Sequence, residues 1–167
     1  MTSLALNVEI YRSLLTHLDS SKDEQVAFFF TAPEVGTHLK AIELYKVPAK
    51  GFDDQSPFYL ALSDETRAYV FGRATELNGG LVEVHSHLHG PAGFSRTDLE
   101  GFEEWVPHVR WRLPDRPYVA LVFAGREFDA LVWNQGEEPD PLGEILIDGV
   151  RSESPTGLTH KSLAVDR

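Results

Sequence analysis

The stretch Glu83-Val84-His85-Ser86-His87-Leu88-His89-Gly90-Pro91-Ala92-Gly93-Phe94-Ser95-Arg96-Thr97-Asp98 runs from an apolar strand pattern into the start of a helix. Side chains on a strand alternate between faces, so His85 and His87 point one way and Ser86 the other. Two imidazoles on one face suit a single metal ion. Ser95 opens the next helix, and Asp98 in its first turn is close enough in sequence to fold back as a third ligand. Two histidines and one carboxylate leave a fourth position open, as in catalytic rather than structural zinc sites. A lone His-x-His is more often a pair of ordinary polar residues. Extended by Ser and Asp across a strand-to-helix junction, it favours a zinc site. Ser95 also reads as a plain helix N-cap with Asp98 as its partner, and the two roles are compatible.

Working outward, Leu81 to His87 is the strand that carries the motif. The helix opened by Ser95 shows Leu99, Phe102, Trp105 and Val106 on one face, with Pro107 beyond it. Upstream, residues 6–18 follow helical spacing, and 25–31 form a nearly continuous apolar run with three phenylalanines, suited to a buried strand. A second strand is expected over 38–48. Residues 49–62 read as a loop, and 63–78 as a helix started by Ser63 and stopped at Gly79-Gly80. Downstream, 118–123 and 128–133 read as paired strands turning at Gly125-Arg126, and 144–148 as a further strand. The predicted order is helix, strand, strand, helix, strand, helix, then three strands, a single mixed α/β domain. It spans residues 1–151, with 152–167 expected to be a flexible tail.

Water activated by a metal needs a proton acceptor. The acidic residues considered are Glu24, Glu34, Glu43 and Glu83. Glu24 is preferred because it opens the phenylalanine strand, which could run beside the histidine strand. Glu24 also reads as a solvated acid at a strand entrance, and Glu83 shares the pleat face of the histidines. Ser95 would donate to the developing oxyanion. His89 reads as a loop residue beside the site, not a fourth ligand. His17, His38, His108 and His160 default to surface or core roles.

The whole chain of 167 residues is long enough to bury a core as one domain. It contains no cysteine, which excludes disulfides, thiolate metal sites and cysteine nucleophiles. Fifteen basic against 26 acidic residues give a formal charge of −11, a surface that repels nucleic acid and anionic membranes. With no secretory layout and no long apolar run, a cytoplasmic protein is expected. Arg110, Trp111, Arg112 and Arg116 form a local basic cluster, suited either to an acidic partner or to solvent.

His85-Ser86-His87, seven residues, Ser95, two residues and Asp98 resemble the signature of the JAMM metalloproteases, also called the JAB/MPN family. Glu24-Gln25-Val26-Ala27-Phe28-Phe29-Phe30 is similar to that family's upstream Glu and apolar strand. Leu88 stands where many members have proline, and Thr31 where glycine often closes the first strand; neither is a ligand. The resemblance implies a JAB/MPN-like mixed sheet flanked by helices, with Zn2+ held by His85, His87 and Asp98. It implies Glu24 as general base and Ser95 as oxyanion donor. The implied reaction is cleavage of an isopeptide or peptide bond after the C-terminal tail of a ubiquitin-like protein. The short chain looks most like bacterial stand-alone JAB domains, which accompany conjugation enzymes of the E1 and E2 type. Two other readings stand beside this one: a catalytically silent scaffold that binds partner proteins, and a processing peptidase for a ubiquitin-fold sulfur-carrier precursor. Residues 49–62 are placed to flank a cleft in which an extended tail adds to a strand edge.

Overall fold

The structure, a computed structural model, describes residues 1–33 and 36–165. In chain order the elements are β1 (Thr2–Leu6), α1 (Val8–Leu18), β2 (Val26–Thr31), β3 (His38–Lys46), β4 (Phe52–Gln55), β5 (Leu60–Leu62) and α2 (Asp64–Glu76). They continue with β6 (Leu81–Ser86), α3 (Arg96–Arg112), β7 (Tyr118–Ala124), β8 (Glu127–Trp133), β9 (Asp140–Ile147), β10 (Arg151–Glu153) and α4 (Leu158–Val165). The main sheet is ordered β1-β3-β2-β6-β7-β8-β9-β10. β1 also pairs with β9, so the strands curl into a closed circuit. β1–β3, β1–β9 and β6–β7 are parallel and the other neighbours antiparallel. β4 and β5 form a separate antiparallel hairpin.

Both faces of the sheet are covered, which is why its central strands read as unbroken apolar runs. Leu4, Ala27, Phe29, Val82, Val84, Val119 and Leu121 pack inward with Tyr11, Leu14 and Leu18 of α1. Their strand neighbours Phe28, Phe30, Leu81, Tyr118 and Val122 face outward, under Val70 and Phe71 of α2 and Phe102, Val106 and Val109 of α3. Phe28, Phe29 and Phe30 are fully buried, each contributing ~1.5–3 kcal/mol of transfer free energy. The alternation puts Glu83 and His85 on the α2/α3 face.

The mixed α/β class and the central order of elements agree with the sequence reading, with four differences. β1, a five-residue strand, directly precedes the first helix, so its apolar residues merge with the helical pattern. The expected loop 49–62 contains the β4–β5 hairpin, whose exposed strands lack an apolar alternation. α3 continues through Pro107 to Arg112. Pro107 removes one helical hydrogen bond on the exposed side, and the buried Phe102, Val106 and Val109 hold the helix on either side of it. The expected flexible tail 152–167 is corrected: it holds the end of β10 and the helix α4, with Thr159 buried, while residues 166 and 167 lie outside the described residues. What orders α4 is a buried carboxylate on β8, described below, rather than an amphipathic pattern. Among the described residues no helix is long and apolar enough to cross a membrane.

The α2–β6 turn also differs in its cause. Beyond α2, Asn78 takes φ 51°, and the Asn78 and Gly79 amides donate to the Thr75 and Ala74 carbonyls, a Schellman closure. Gly79 is required for space instead: a Cβ there would lie 1.9 Å from the Thr31 carbonyl oxygen. Gly79→Ala is therefore expected to destabilise the fold by ~2 kcal/mol or more, read as a lower urea midpoint at unchanged slope.

Candidate active site

β6 ends at Ser86, and His87 follows with its amide donating to the Phe123 carbonyl at 2.7 Å, so both histidines are held against the sheet. Their Nε2 atoms lie 3.3 Å apart. Asp98 reaches them from the first turn of α3, with Oδ2 3.1 Å from His87 Nε2 and Oδ1 3.4 Å from His85 Nε2. Ligand atoms ~2.05 Å from a tetrahedral zinc lie ~3.3 Å from one another. The two imidazole nitrogens have that spacing, and each also meets one oxygen of Asp98 at a similar distance; among the described residues His85, His87 and Asp98 form the group able to hold a metal ion. Two nitrogens and a carboxylate oxygen are the donor set of a site that keeps an open position, so the residues fit zinc.

The electrostatics agree with cation binding. Burial would raise the Asp98 carboxyl, but hydrogen bonds to His85 and His87, and one from the Ser95 amide, hold it well below the ordinary aspartate range. Burial would lower the His85 imidazole, yet hydrogen bonding to Asp98 and the charges of Asp98, Glu83 and Glu24 raise it.

Asp98 owes its position to the cap of α3. Ser95 Oγ accepts from the Asp98 amide at 3.1 Å, and Asp98 Oδ2 accepts from the Ser95 amide at 2.7 Å. This is a reciprocal capping box. The cap reading of Ser95 is therefore observed, and its own hydroxyl proton has no partner among the described residues. Ser95 is exposed on the cleft, where its hydroxyl can still donate to a ligand.

Glu24 is placed by strand register. β2 and β6 pair antiparallel with Val26 opposite His85, which sets Glu24 beside His87 just beyond the ladder. Ser86, facing away from the metal-binding group, accepts the Gln25 amide on its hydroxyl at 2.8 Å, and its own amide donates to the Gln25 carbonyl at 3.0 Å. The hairpin completes the clamp: the Glu24 amide donates to the Ser56 carbonyl, and Gln55 Nε2 donates to the Glu24 carbonyl. Glu24 is buried at 7% exposure and lines the cleft with His85, Ser95 and Asp98. Burial raises its carboxyl, and the neighbouring His85 and His87 pull it partly back. The sequence reading found Glu24 but missed Ser86 as its anchor; the alternation that turns Ser86 away from the histidines was the available signal.

The other acidic residues separate. Glu43 is taken by Arg73 in a two-pronged ion pair with both contacts at 2.7 Å. Glu83 lies beneath His85 and accepts from the Tyr118 hydroxyl, which in turn accepts from Trp105 Nε1. Glu34 lies outside the described residues. His89 is outside the metal-binding group and stacks on Phe58 at 5.5 Å. His17 and His38 have structural partners in the Val26 carbonyl and the Ser3 hydroxyl. The basic segment is not a solvated loop: Arg110 binds the Gln135 and Gly136 carbonyls, Arg116 binds the Pro33 carbonyl and Asn78, and Arg112 lies over Phe71.

A closed mixed sheet with a His-x-His strand and an Asp-bearing capped helix defines a JAB-type α/β domain. The sequence profile of the prokaryotic homologs of the JAB domain matches residues 8–134, and the chain belongs to that family. No curated protein matches the chain. Its fold is similar to that of a Desulfitobacterium hafniense protein solved in solution, at TM-score 0.60 and 15% identity over 89% of this chain and 93% of that one. A Salinibacter ruber protein, also solved in solution, is similar at TM-score 0.50 and 19% identity over 93% of this chain and 96% of that one. At these identities the likeness is one of fold alone.

Ser86→Ala is expected to leave the Gln25 amide without an acceptor, at a cost of ~1–3 kcal/mol. Amide hydrogen exchange should quicken at Gln25 and Val26 more than in β7; a uniform change across the sheet would remove Ser86 as the local anchor.

Proposed function

We propose that this JAB-family domain is a zinc-dependent peptidase that cleaves an isopeptide or peptide bond after the C-terminal tail of a ubiquitin-like protein. The observation that carries the proposal is the convergence of His85, His87 and Asp98 into one group able to hold a metal ion, with Glu24 buried in the same cleft. Bound zinc would polarise the scissile carbonyl and lower the pKa of a water to ~7. Glu24 takes the proton of the attacking water and returns it to the leaving amine. Ser95 donates its free hydroxyl proton to the developing oxyanion, while the capping box keeps its oxygen in place.

The tail would enter as a strand. β5 pairs with β4 on one side only among the described residues, and Tyr59, Leu60, Ala61 and Leu62 line the cleft opposite α3. Main-chain addition to that edge holds an extended peptide with few side-chain demands. We place the protein in the cytoplasm, acting on conjugates made by E1- and E2-type enzymes.

Glu24→Gln should retain zinc and lose turnover; wild-type rates in that variant would remove Glu24 as the base. Ser95→Ala should lower kcat ~10²–10³-fold with KM little changed, and a change confined to melting temperature would leave it only the cap role. The Glu24 carboxyl is raised by burial, and only its ionised form accepts a proton. The acid limb of kcat/KM should therefore lie above the ordinary glutamate value, with activity falling as pH drops through it.

A further inference from the structure

The cleft divides at the metal-binding group into two arms. One, of about 580 Å3, runs between β5 and α3 over Glu83 and His85. The other, of about 410 Å3, lies between the hairpin turn at Pro57-Phe58 and helix α4. Glu24, Phe58 and Ser95 border both. α4 begins beyond the stretch matched by the family profile, and it walls this second arm.

That wall is anchored. Asp129, on β8 and 1% exposed, accepts the Gly157 amide on Oδ1 at 3.0 Å and the Thr159 amide on Oδ2 at 2.8 Å. A buried carboxylate that receives the first amides of a helix fixes that helix end strongly. Thr159 Oγ1 then accepts the Phe94 amide at 2.9 Å, and Thr156 Oγ1 donates to the Ala92 carbonyl at 2.6 Å. Leu158 sits so close over Gly93 that a Cβ there would lie 3.3 Å from the Leu158 Cβ. The loop joining His87 to Ser95 is thereby clasped against α4 along its last three residues.

The anchored wall presents apolar surface to the cleft. Leu158 is 41% exposed on α4, and Phe58 is 76% exposed on the hairpin turn. Both line the same arm, with Leu88 between the histidine strand and the loop. Two large apolar side chains held open at a reaction centre stabilise a ligand by ~25 cal/mol per Å2 of apolar area they cover. The ionisable groups bordering this arm, Glu24, His87 and His89, sit toward the centre and the hairpin turn, and α4 contributes only Leu158, Thr159 and Ser162.

The first arm has the strand edge suited to an extended acyl tail, so a scissile bond seated at the metal-binding group directs its nitrogen substituent into the second arm. We propose that this arm is a leaving-group subsite, in which Leu158 and Phe58 select an aliphatic group carried on the leaving nitrogen. The assignment of sides rests on the peptidase reading above. An acceptor lysine, through its methylene stem, and an apolar first residue of a linear extension share this chemistry.

The subsite is tested by binding, without turnover, in zinc-loaded Glu24→Gln protein. Three amine-side peptides are titrated by amide NMR: Leu-Ala-Ala-amide, acetyl-Ala-Lys-Ala-amide and, as control, Gly-Ala-Ala-amide. Saturable shifts at Phe58, Gly93 and Leu158 are expected for the leucine and lysine peptides, with affinity at least ~10-fold above the glycine peptide. The stronger of the two identifies a linear or a lysine-linked source. Leu158→Ser and Phe58→Ser, both at exposed positions, should bring all three peptides to the same weak affinity. Equal binding of the three in the parent protein, or shifts confined to β5 and α3, would overturn the subsite. Absence of chelator-sensitive cleavage by the wild type, with peptide binding as expected, would instead overturn the peptidase reading.

Discussion

The antiparallel register of β2 against β6 is the constraint on which the site depends. With Val26 opposite His85, Glu24, two residues before β2, falls beside His87, and the residue between the histidines meets Gln25. A slip of one residue would exchange the two faces of β2, sending Phe28 and Phe30 to the α1 side and Glu24 away from the cleft. The fully buried phenylalanines therefore do more than fill the core. Their alternation between two packed layers makes the slipped register costly on both faces, and so fixes a carboxylate near a metal-binding group by hydrophobic means.

The second half of the site is fixed by polar means. Asp98 has one carboxylate for two tasks, closing the capping box of α3 and facing the two imidazoles. Sharing it couples helix initiation to ligand placement. Ser95 cannot move without disturbing Asp98, and Asp98 cannot move without uncapping the helix. A side chain already held by hydrogen bonds in this way loses little mobility on taking up a ligand, because the ordering is supplied by the fold. On the far side, Asp129 and Thr159 extend the same logic to the loop between His87 and Ser95.

Much of this was legible in the sequence, and the boundary has a physical meaning. Strands with both faces buried announce themselves as apolar runs, so β2, β6, β7 and β8 were readable. The grouping of His85, His87 and Asp98 was readable because they lie within fourteen residues, at the end of one strand and in one helix turn. Elements held by long-range polar contacts were not. Residues 152–167 read as a loose tail because α4 has little amphipathic pattern, and what orders its start is one aspartate twenty-eight residues upstream of Gly157. The β4–β5 hairpin was hidden for a similar reason, since its short exposed strands need no alternation. Pro107 misled in the opposite direction, because packing on both sides of it outweighs one lost hydrogen bond.

The proposed activity requires His85, His87 and Asp98 to act together as a zinc site. Elemental analysis of dialysed wild type and Asp98→Ala tests this most directly. About one zinc per chain in the wild type, with clear loss in a variant that remains folded, is the expected result. A folded wild type that carries no zinc and takes none up on reloading would contradict the central claim and leave the domain as a scaffold for partner proteins.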